Sequence, residues 1–171
     1  MTMKQSAALG SISHGTLREC DLLEAFMHEL EWQIRRNGEH YSRPENFSER
    51  DRLNALVGDA GDCFDEYGED IAEDKQELAS KLVNQELPDA LGEFAAPYCY
   101  FGAHMGDGSD FGFWPADIEE IKEQVEFVSS KGAEYPADDY RGEWLHINER
   151  GNCTLYVRED SGKDRKIWGC V

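Results

Sequence analysis

The stretch from Tyr98 to Trp114, YCYFGAHMGDGSDFGFW, separates two parts of the chain with different patterns. Aromatic residues near both ends favour strands, and the glycines on either side of Asp107 permit a tight turn between them. The stretch therefore predicts a β-hairpin. We assign its aromatic side chains to core packing, because residues 94–114 contain no Lys or Arg, which a nucleic-acid stacking platform needs.

The chain before the hairpin has helical periodicity. Apolar residues at helical spacing predict a helix over residues 17–36, with Thr16 and Glu19 as a capping box. A second helix is predicted from Ser48, with an apolar stripe that continues to Phe64. Further helices are expected over residues 70–83 and 87–95, and residues 1–15 are expected to be a polar tail.

The chain after the hairpin has one helical stretch and then short alternating runs. Pro115 is placed at the start of a helix, and residues 129–142 are interpreted as a loop. Strands are predicted at residues 143–148, 153–157 and 165–171. We therefore predict an α+β fold: N-terminal helices packed with a mostly antiparallel sheet of about five strands and one inserted helix. The expected single domain covers residues 16–171, with a helical part at about 16–96 and a sheet part at about 97–171.

Composition narrows the range of functions. The 171 residues include 17 Lys plus Arg and 36 Asp plus Glu, a formal net charge of −19, which disfavours direct binding to nucleic acids or anionic membranes. The sequence has neither a long apolar run nor a secretory leader pattern. Its five widely spaced cysteines favour a reducing cytoplasm and buried thiols. Cys153 and Cys170 lie in strands that are candidates to be neighbours, so contact between these two thiols is left open.

The negative charge is concentrated in two blocks. Residues 59–93 carry a net charge of −10 and residues 115–139 carry −6, whereas residues 140–171 carry +1. Such blocks are typical either of a solvated helical face or of a functional electrostatic surface. If residues 59–77 are helical, successive carboxylates lie about 5–6 Å apart, close to the phosphate spacing of one DNA strand. The residues predicted to bind a partner are Asp59, Asp62, Asp65, Glu66, Glu69, Asp70, Glu73, Asp74, Glu77, Glu119, Glu120, Glu123 and Glu126.

The glycine-rich turn has two interpretations. An imidazole and two carboxylates, from His104, Asp107 and Asp110, are groups that can bind a divalent metal ion or form a small active site. Their spacing matches no standard metal motif, and an Asx-type turn explains the same residues structurally. We predict no catalytic residue, metal or cofactor from the sequence.

Three stretches resemble a family of small acidic proteins from phages, plasmids and other mobile elements. They are residues 100–114 (YFGAHMGDGSDFGFW), residues 145–156 (LHINERGNCTLY) and the terminal Ile167-Trp168 pair, and the opening Thr16-Leu-Arg with the following helix is similar too. The family is uncharacterised, so the resemblance implies a mobile-element context and no activity. In size and charge alone, the chain is also similar to ArdA-type antirestriction proteins and to acidic anti-CRISPR proteins, which act as DNA mimics.

These observations favour a non-enzymatic anti-defence protein in the host cytoplasm. It would bind a basic nucleic-acid-handling surface of a host restriction or CRISPR complex, with its carboxylates replacing phosphates. Two alternatives remain open: a metal- or ligand-dependent enzyme or binding domain centred on the 102–114 hairpin, and a plain interaction module of a mobile element. A homodimer is also left open.

Overall fold

The computed structural model describes residues 3–130 and 135–170, which form helices and two β-sheets and so confirm the α+β class. The single sheet of about five strands is wrong. Seven strands in the described part of the chain form a three-stranded sheet and a separate four-stranded sheet. The two extra strands lie in segments that we expected to be tail, for residues 10–13, or the end of a helix and the start of a loop, for residues 127–130.

The chain divides into two compact units. The first comprises residues 1–95 and 101–114, and the second comprises residues 96–100 and 115–171. The boundary falls close to the predicted change near residue 97, but most of the hairpin belongs with the helices. One domain over residues 16–171 stays a prediction.

The first unit contains most of the helices. Their bounds are α1 Glu19–Arg36, α2 Gly38–Tyr41, α3 Phe47–Gly61, α4 Gln76–Lys81 and α5 Leu87–Gly92, with short 3₁₀ helices at Pro44–Asn46 and Glu73–Lys75. A π-helical turn, Leu82–Glu86, joins α4 to α5, so the two helices predicted over residues 70–83 and 87–95 are one continuous helical run. The segment between α1 and α3 contains α2 and the first 3₁₀ helix.

Helix α1 is the centre of the first core. Its apolar stripe is buried as predicted, and Leu23, Phe26 and Leu30 are completely inaccessible to solvent. The ring of Phe26 meets the ring of Phe101 edge-on at 5.1 Å and that of Phe111 at 5.5 Å, so these two hairpin aromatics pack in the first core. The predicted capping box is wrong: Thr16 Oγ1 accepts the Arg18 N–H at 3.2 Å and donates to Asp21 at 2.6 Å, while the helix begins at Glu19.

The three-stranded sheet has the order β1–β3–β2, from strands β1 Gly10–Ser13, β2 Cys99–His104 and β3 Asp107–Pro115. The expected polar tail is wrong over residues 10–13, because β1 pairs antiparallel with β3. The two backbones approach so closely that a Cβ added to Gly112 would collide with the carbonyl group of Gly10. The hairpin is confirmed, and its connection is shorter than expected, since only residues 105–106 separate the strands.

The second unit is built on the four-stranded sheet. Its strands are β4 Phe127–Ser130, β5 Gly142–Ile147, β6 Cys153–Arg158 and β7 Asp164–Cys170, in sequence order. Strands β4 and β5 are parallel, and the other pairs are antiparallel. Strand β4 replaces part of the predicted 129–142 loop.

Helix α6, Ile118–Gln124, begins later than predicted. Pro115 ends β3, and Asp117 is the N-cap residue, with its carboxylate accepting the Glu119 N–H at 2.8 Å. The Asp117–Glu120 spacing was the sequence signal for this cap. Side chains of α6 and the sheet supply the buried apolar residues of this unit, among them Ile121, Leu145 and Leu155.

Candidate partner-binding surface

The thirteen carboxylates predicted to bind a partner lie in both units. Those from Asp59 to Glu77 belong to the first unit, and those from Glu119 to Glu126 belong to the second. All are exposed except Asp65, which is half-buried. Charged side chains at these positions therefore face solvent as predicted.

The regular helical ladder of carboxylates is wrong. We call residues 59–77 the acidic segment. Helix α3 ends at Gly61, with Asp62 as its C-cap residue, and Phe64 pairs instead with Ile71 in an isolated antiparallel bridge. The remaining acidic residues follow in a turn, a 3₁₀ helix and the start of α4. Their spacing is therefore set by these elements and not by a single helix.

Asp65 holds the turn of residues 65–70 together. Its Oδ1 accepts the N–H groups of Tyr67 at 3.2 Å and Glu69 at 3.0 Å. The backbone closes the same turn, with Asp65 N–H donating to the Asp70 carbonyl at 2.8 Å and Gly68 N–H donating to the Asp65 carbonyl at 3.0 Å. Gly68 has φ = +70°, a conformation that favours glycine.

These hydrogen bonds also change the role of Asp65. The backbone N–H of Glu69 is the largest cause that lowers the pKa of the Asp65 carboxyl, and the other N–H groups of the turn add to it. The group stays ionised, but one of its oxygens is already occupied by the backbone. Asp65 is therefore a positioning residue that fixes its neighbours.

The turn also presents an aromatic side chain, which is not among the predicted partner-binding residues. Tyr67 is 76% exposed and has Glu66 and Glu69 as near neighbours along the chain. The Asp65-to-Gly68 spacing, typical of a type I turn, was the signal that could have placed it at a turn tip.

No carboxylate of the acidic segment forms an ion pair with a described basic side chain, and Lys75 is the segment's only cation. Elsewhere in the same unit the fold does pair its acids. Lys4 Nζ lies 2.7 Å from Glu49, and Arg52 lies 2.6 Å from Glu93. The acidic segment therefore keeps its negative charge uncompensated.

A polar cleft of about 380 Å³ adjoins the acidic turn. Arg18, Glu19, Cys20, Asp70, Ile71 and Gln76 line it. Burial raises the pKa of the Cys20 thiol, and nearby Asp70 raises it further, so this thiol is a poor nucleophile. The thiol also donates to the Glu69 carbonyl at 3.5 Å, which ties α1 to the turn.

The second acidic block is smaller and partly compensated. Lys122 Nζ lies 2.7 Å from Glu119, and the Tyr140 hydroxyl lies 3.5 Å from Glu126. Glu120 and Glu123 are exposed on the same short helix. This block belongs to the second unit.

The three residues of the alternative hairpin site make separate contacts. Asp107 Oδ1 accepts the Ser109 N–H at 2.9 Å and the Ser109 hydroxyl at 2.8 Å, and these bonds lower the pKa of the carboxyl. His104 Nδ1 accepts the Gly106 N–H at 3.1 Å, while Asp110 lies 3.7 Å from His14. The described residues contain no group of three His, Cys, Asp or Glu side chains arranged to hold a metal ion. The geometry at Asp107 is that of an Asx-type turn.

Comparisons with known proteins give no match: no family model, curated protein or solved structure matches this chain. Within residues 3–130 and 135–170, no helix combines the length and apolar character needed to cross a membrane. The mobile-element resemblance and the cytoplasmic location stay predictions.

Proposed function

We propose that this chain is a non-enzymatic anti-defence protein. Its acidic segment, residues 59–77, binds a basic nucleic-acid-handling surface of a host restriction or CRISPR complex and takes the place of nucleic acid there. The proposal rests on one observation: the acidic segment holds eight exposed carboxylates and no ion pair with a described basic side chain.

Charge repulsion makes such an arrangement unfavourable in the free protein. Carboxylates that have no cation nearby repel each other, and the repulsion opposes the compact state. A basic groove built for phosphates supplies the missing cations and releases its own bound counterions on association. The free energy lost to repulsion is therefore recovered when the two surfaces meet, which favours this class of partner over a neutral one.

The turn geometry supports a defined binding surface even without the helical ladder. Asp65 fixes the backbone on which Glu66 and Glu69 stand, so less backbone entropy is lost when this turn binds a partner. Exposed Tyr67 adds an aromatic side chain of the type that is enriched among the residues that dominate protein–protein affinity. The exposed Glu120 and Glu123 contribute a second patch in this proposal.

The first experiment is a pull-down with tagged protein from nuclease-treated host lysate, eluted by increasing salt and identified by mass spectrometry. We expect a stoichiometric nuclease or guide-RNA complex that elutes at moderate salt and that added duplex DNA displaces. A partner that is neither eluted by moderate salt nor displaced by duplex DNA would instead indicate a plain interaction module whose acidity serves solubility.

The decisive variant reverses three exposed charges, with Asp62, Glu66 and Glu69 changed to Lys. Each change adds two positive charges, so the net charge moves from −19 to −13. We expect affinity for the captured complex to fall at least about tenfold, since several complementary charge pairs become repulsive. Circular dichroism is expected to match the parent protein and the melting temperature is expected not to fall, because these side chains make no ion pair in the fold and their replacement relieves repulsion.

A matched control separates local charge from total charge. Changing Glu39, Glu45 and Asp89 to Lys gives the same net charge, and all three side chains are exposed in the first unit outside the acidic segment. The control is expected to bind within about threefold of the parent protein, because it leaves every carboxylate of the acidic segment in place. Equal affinity losses in both triple variants would refute a role for the acidic segment.

A further inference from the structure

Two cysteines face each other across the β6–β7 ladder. Cys153 is the first residue of β6, Cys170 is the last residue of β7, and their Cα atoms are direct partners in the antiparallel register. Direct partners project their side chains from the same face of a sheet. The two thiols therefore lie on one face at one end of the hairpin.

This position meets the geometric requirement of a disulfide. Directly opposed residues in antiparallel strands have Cα atoms about 4.5 or 5.5 Å apart, and disulfides span about 4.4–6.8 Å between Cα atoms. A bond between Cys153 and Cys170 therefore needs little backbone movement. In the structure both thiols are free.

The surroundings make the two thiols unequal. Cys153 is 5% exposed, whereas Cys170 is half-buried and more accessible to a reagent. Burial raises the pKa of the Cys153 thiol, and nearby Cys170 raises it further. An external oxidant therefore reaches Cys170 first, and Cys153 reacts second as the internal partner.

A third thiol lies on the same side of this unit. The indole N–H of Trp168 donates to the Pro97 carbonyl at 2.8 Å, which holds the 97–99 segment beside β7. Burial raises the pKa of the Cys99 thiol to about 12, and Cys170 contributes to the shift. Cys99 therefore stays protonated and is not an opposed residue in the ladder, so it is disfavoured as the bonding partner of Cys170.

We propose that Cys153 and Cys170 form a reversible cross-strand disulfide by exchange with a low-molecular-weight disulfide such as glutathione disulfide. The Cys170 thiolate attacks one sulfur of glutathione disulfide, forming a mixed disulfide and releasing one glutathione thiolate. The Cys153 thiolate then attacks the Cys170 sulfur, closing the protein disulfide and releasing the second glutathione. The two protein thiols lose two protons and two electrons in total, and glutathione disulfide becomes two glutathione molecules.

The bond joins the far ends of β6 and β7 and so closes the hairpin covalently. Such a cross-link restricts the unfolded chain and favours the folded second unit. The inference does not depend on the anti-defence proposal, since it concerns the other unit and a different chemistry. It makes the stability of that unit respond to the redox state of its surroundings.

Purified reduced protein is incubated with glutathione disulfide, alkylated with iodoacetamide in denaturant so that buried thiols also react, digested with trypsin and analysed by mass spectrometry without reduction. Of the five cysteines, we expect three to be alkylated after oxidation, because the other two form the disulfide. Peptides 151–158 and 167–171 are expected to appear as a linked pair that dithiothreitol separates. The melting temperature of the oxidised protein is expected to rise and to return to the starting value on reduction.

Single serine variants identify which two cysteines form the disulfide. Cys99→Ser is expected to form the same linked pair, whereas Cys153→Ser is expected to stop at a glutathione adduct on Cys170 and show no dithiothreitol-reversible rise in melting temperature. Five alkylated thiols after oxidation, a linked peptide that contains Cys99, or a stable glutathione adduct in the parent protein would each overturn the proposal.

Discussion

The acidic turn at residues 65–70 and the turn between β6 and β7 are both rich in carboxylates, but they treat those charges differently. In the second turn Asp164 receives two bonds from the Arg158 guanidinium, with Nε to Oδ1 at 2.9 Å and Nη2 to Oδ2 at 2.9 Å. Glu159 is paired with Arg165 at 2.8 Å. In the first turn Asp65 is bound only by backbone N–H groups, and its acidic neighbours form no ion pair with a described base.

The paired carboxylate of the second turn is part of a larger structural cluster. Arg158, whose side chain is 9% exposed, also donates to the carbonyls of Pro136 and Ala137 at 2.8 Å each. The indole N–H of Trp144 donates to Asp164 at 3.1 Å. Arg158 therefore links the backbone of residues 136–137 to the sheet. Its planar guanidinium also matches the two oxygens of the Asp164 carboxylate.

Charge therefore supports folding at the second turn and not at the acidic turn. Basic side chains pair with the carboxylates that hold the sheet and the 136–137 backbone together. The exposed carboxylates of residues 59–77 have no ion pair with a described base, and their mutual repulsion opposes the compact state.

The largest effect is expected where β1 and β3 approach each other, in the unit that also carries the acidic turn. A Cβ at residue 112 would lie 2.8 Å from the Gly10 carbonyl carbon and 2.9 Å from Ser11 Cα, and backbone atoms cannot rotate away. We expect Gly112→Ala to lower the free energy of unfolding by about 3 kcal/mol. Urea denaturation followed by circular dichroism measures the change.

Gly108 provides the matched control in the same hairpin. A Cβ there meets no atom within 4 Å, and its φ is not in the left-handed region. Gly108→Ala is therefore expected to change the free energy of unfolding by less than about 1 kcal/mol. Similar losses of stability in the two variants would show that the close approach of β1 and β3 is not what restricts position 112 to glycine.

The sequence predicted the regions in which local pattern and tertiary packing agree. The stripe of α1, the hairpin and strands β5 to β7 follow directly from apolar periodicity. The exposure of the acidic residues also follows, because an ionised carboxylate is rarely buried without a partner.

The errors arose where a short signal competed with periodicity. Phe64 fits the apolar stripe of α3, yet Gly61 and the Asp65–Gly68 turn end the helix, and Phe64 pairs with Ile71. Strand β1 was missed because Gly10–Ser13 has little apolar pattern and is stabilised by pairing with a distant strand. Such nonlocal pairing leaves no mark in a local pattern.

A moderate effect is expected for the paired carboxylate, and it depends on pH. The hydrogen bond from Arg158 is the largest cause that lowers the pKa of Asp164 in the folded protein. The resulting stability is fully present above the unfolded pKa of about 3.9 and is lost as the pH falls through the lower folded pKa. Asp164→Asn is expected to cost about 1 kcal/mol at pH 7.

The measurement is urea unfolding of the parent protein and Asp164→Asn at a series of pH values. The difference between the two proteins is expected to be constant from pH 7 to about 5, to shrink below about pH 4 and to disappear in stronger acid. A difference that stays the same across this range would contradict a charge-dependent role for Asp164.

The smallest effect on stability is expected at Asp65, because its hydrogen bonds organise only one exposed turn. Asp65→Ala removes the acceptor for the Tyr67 and Glu69 N–H groups, so amide hydrogen exchange at these two positions is expected to rise several-fold while the melting temperature stays nearly constant. Asp65→Asn keeps an acceptor oxygen and is expected to retain most of the protection.

The same two variants also separate the effect of an ordered turn from the effect of the Asp65 charge at the proposed partner surface. If Asp65→Ala weakens capture of the partner and Asp65→Asn does not, the turn acts by holding Glu66 and Glu69 in place, whereas equal weakening by both variants would make the Asp65 charge itself the contributing feature.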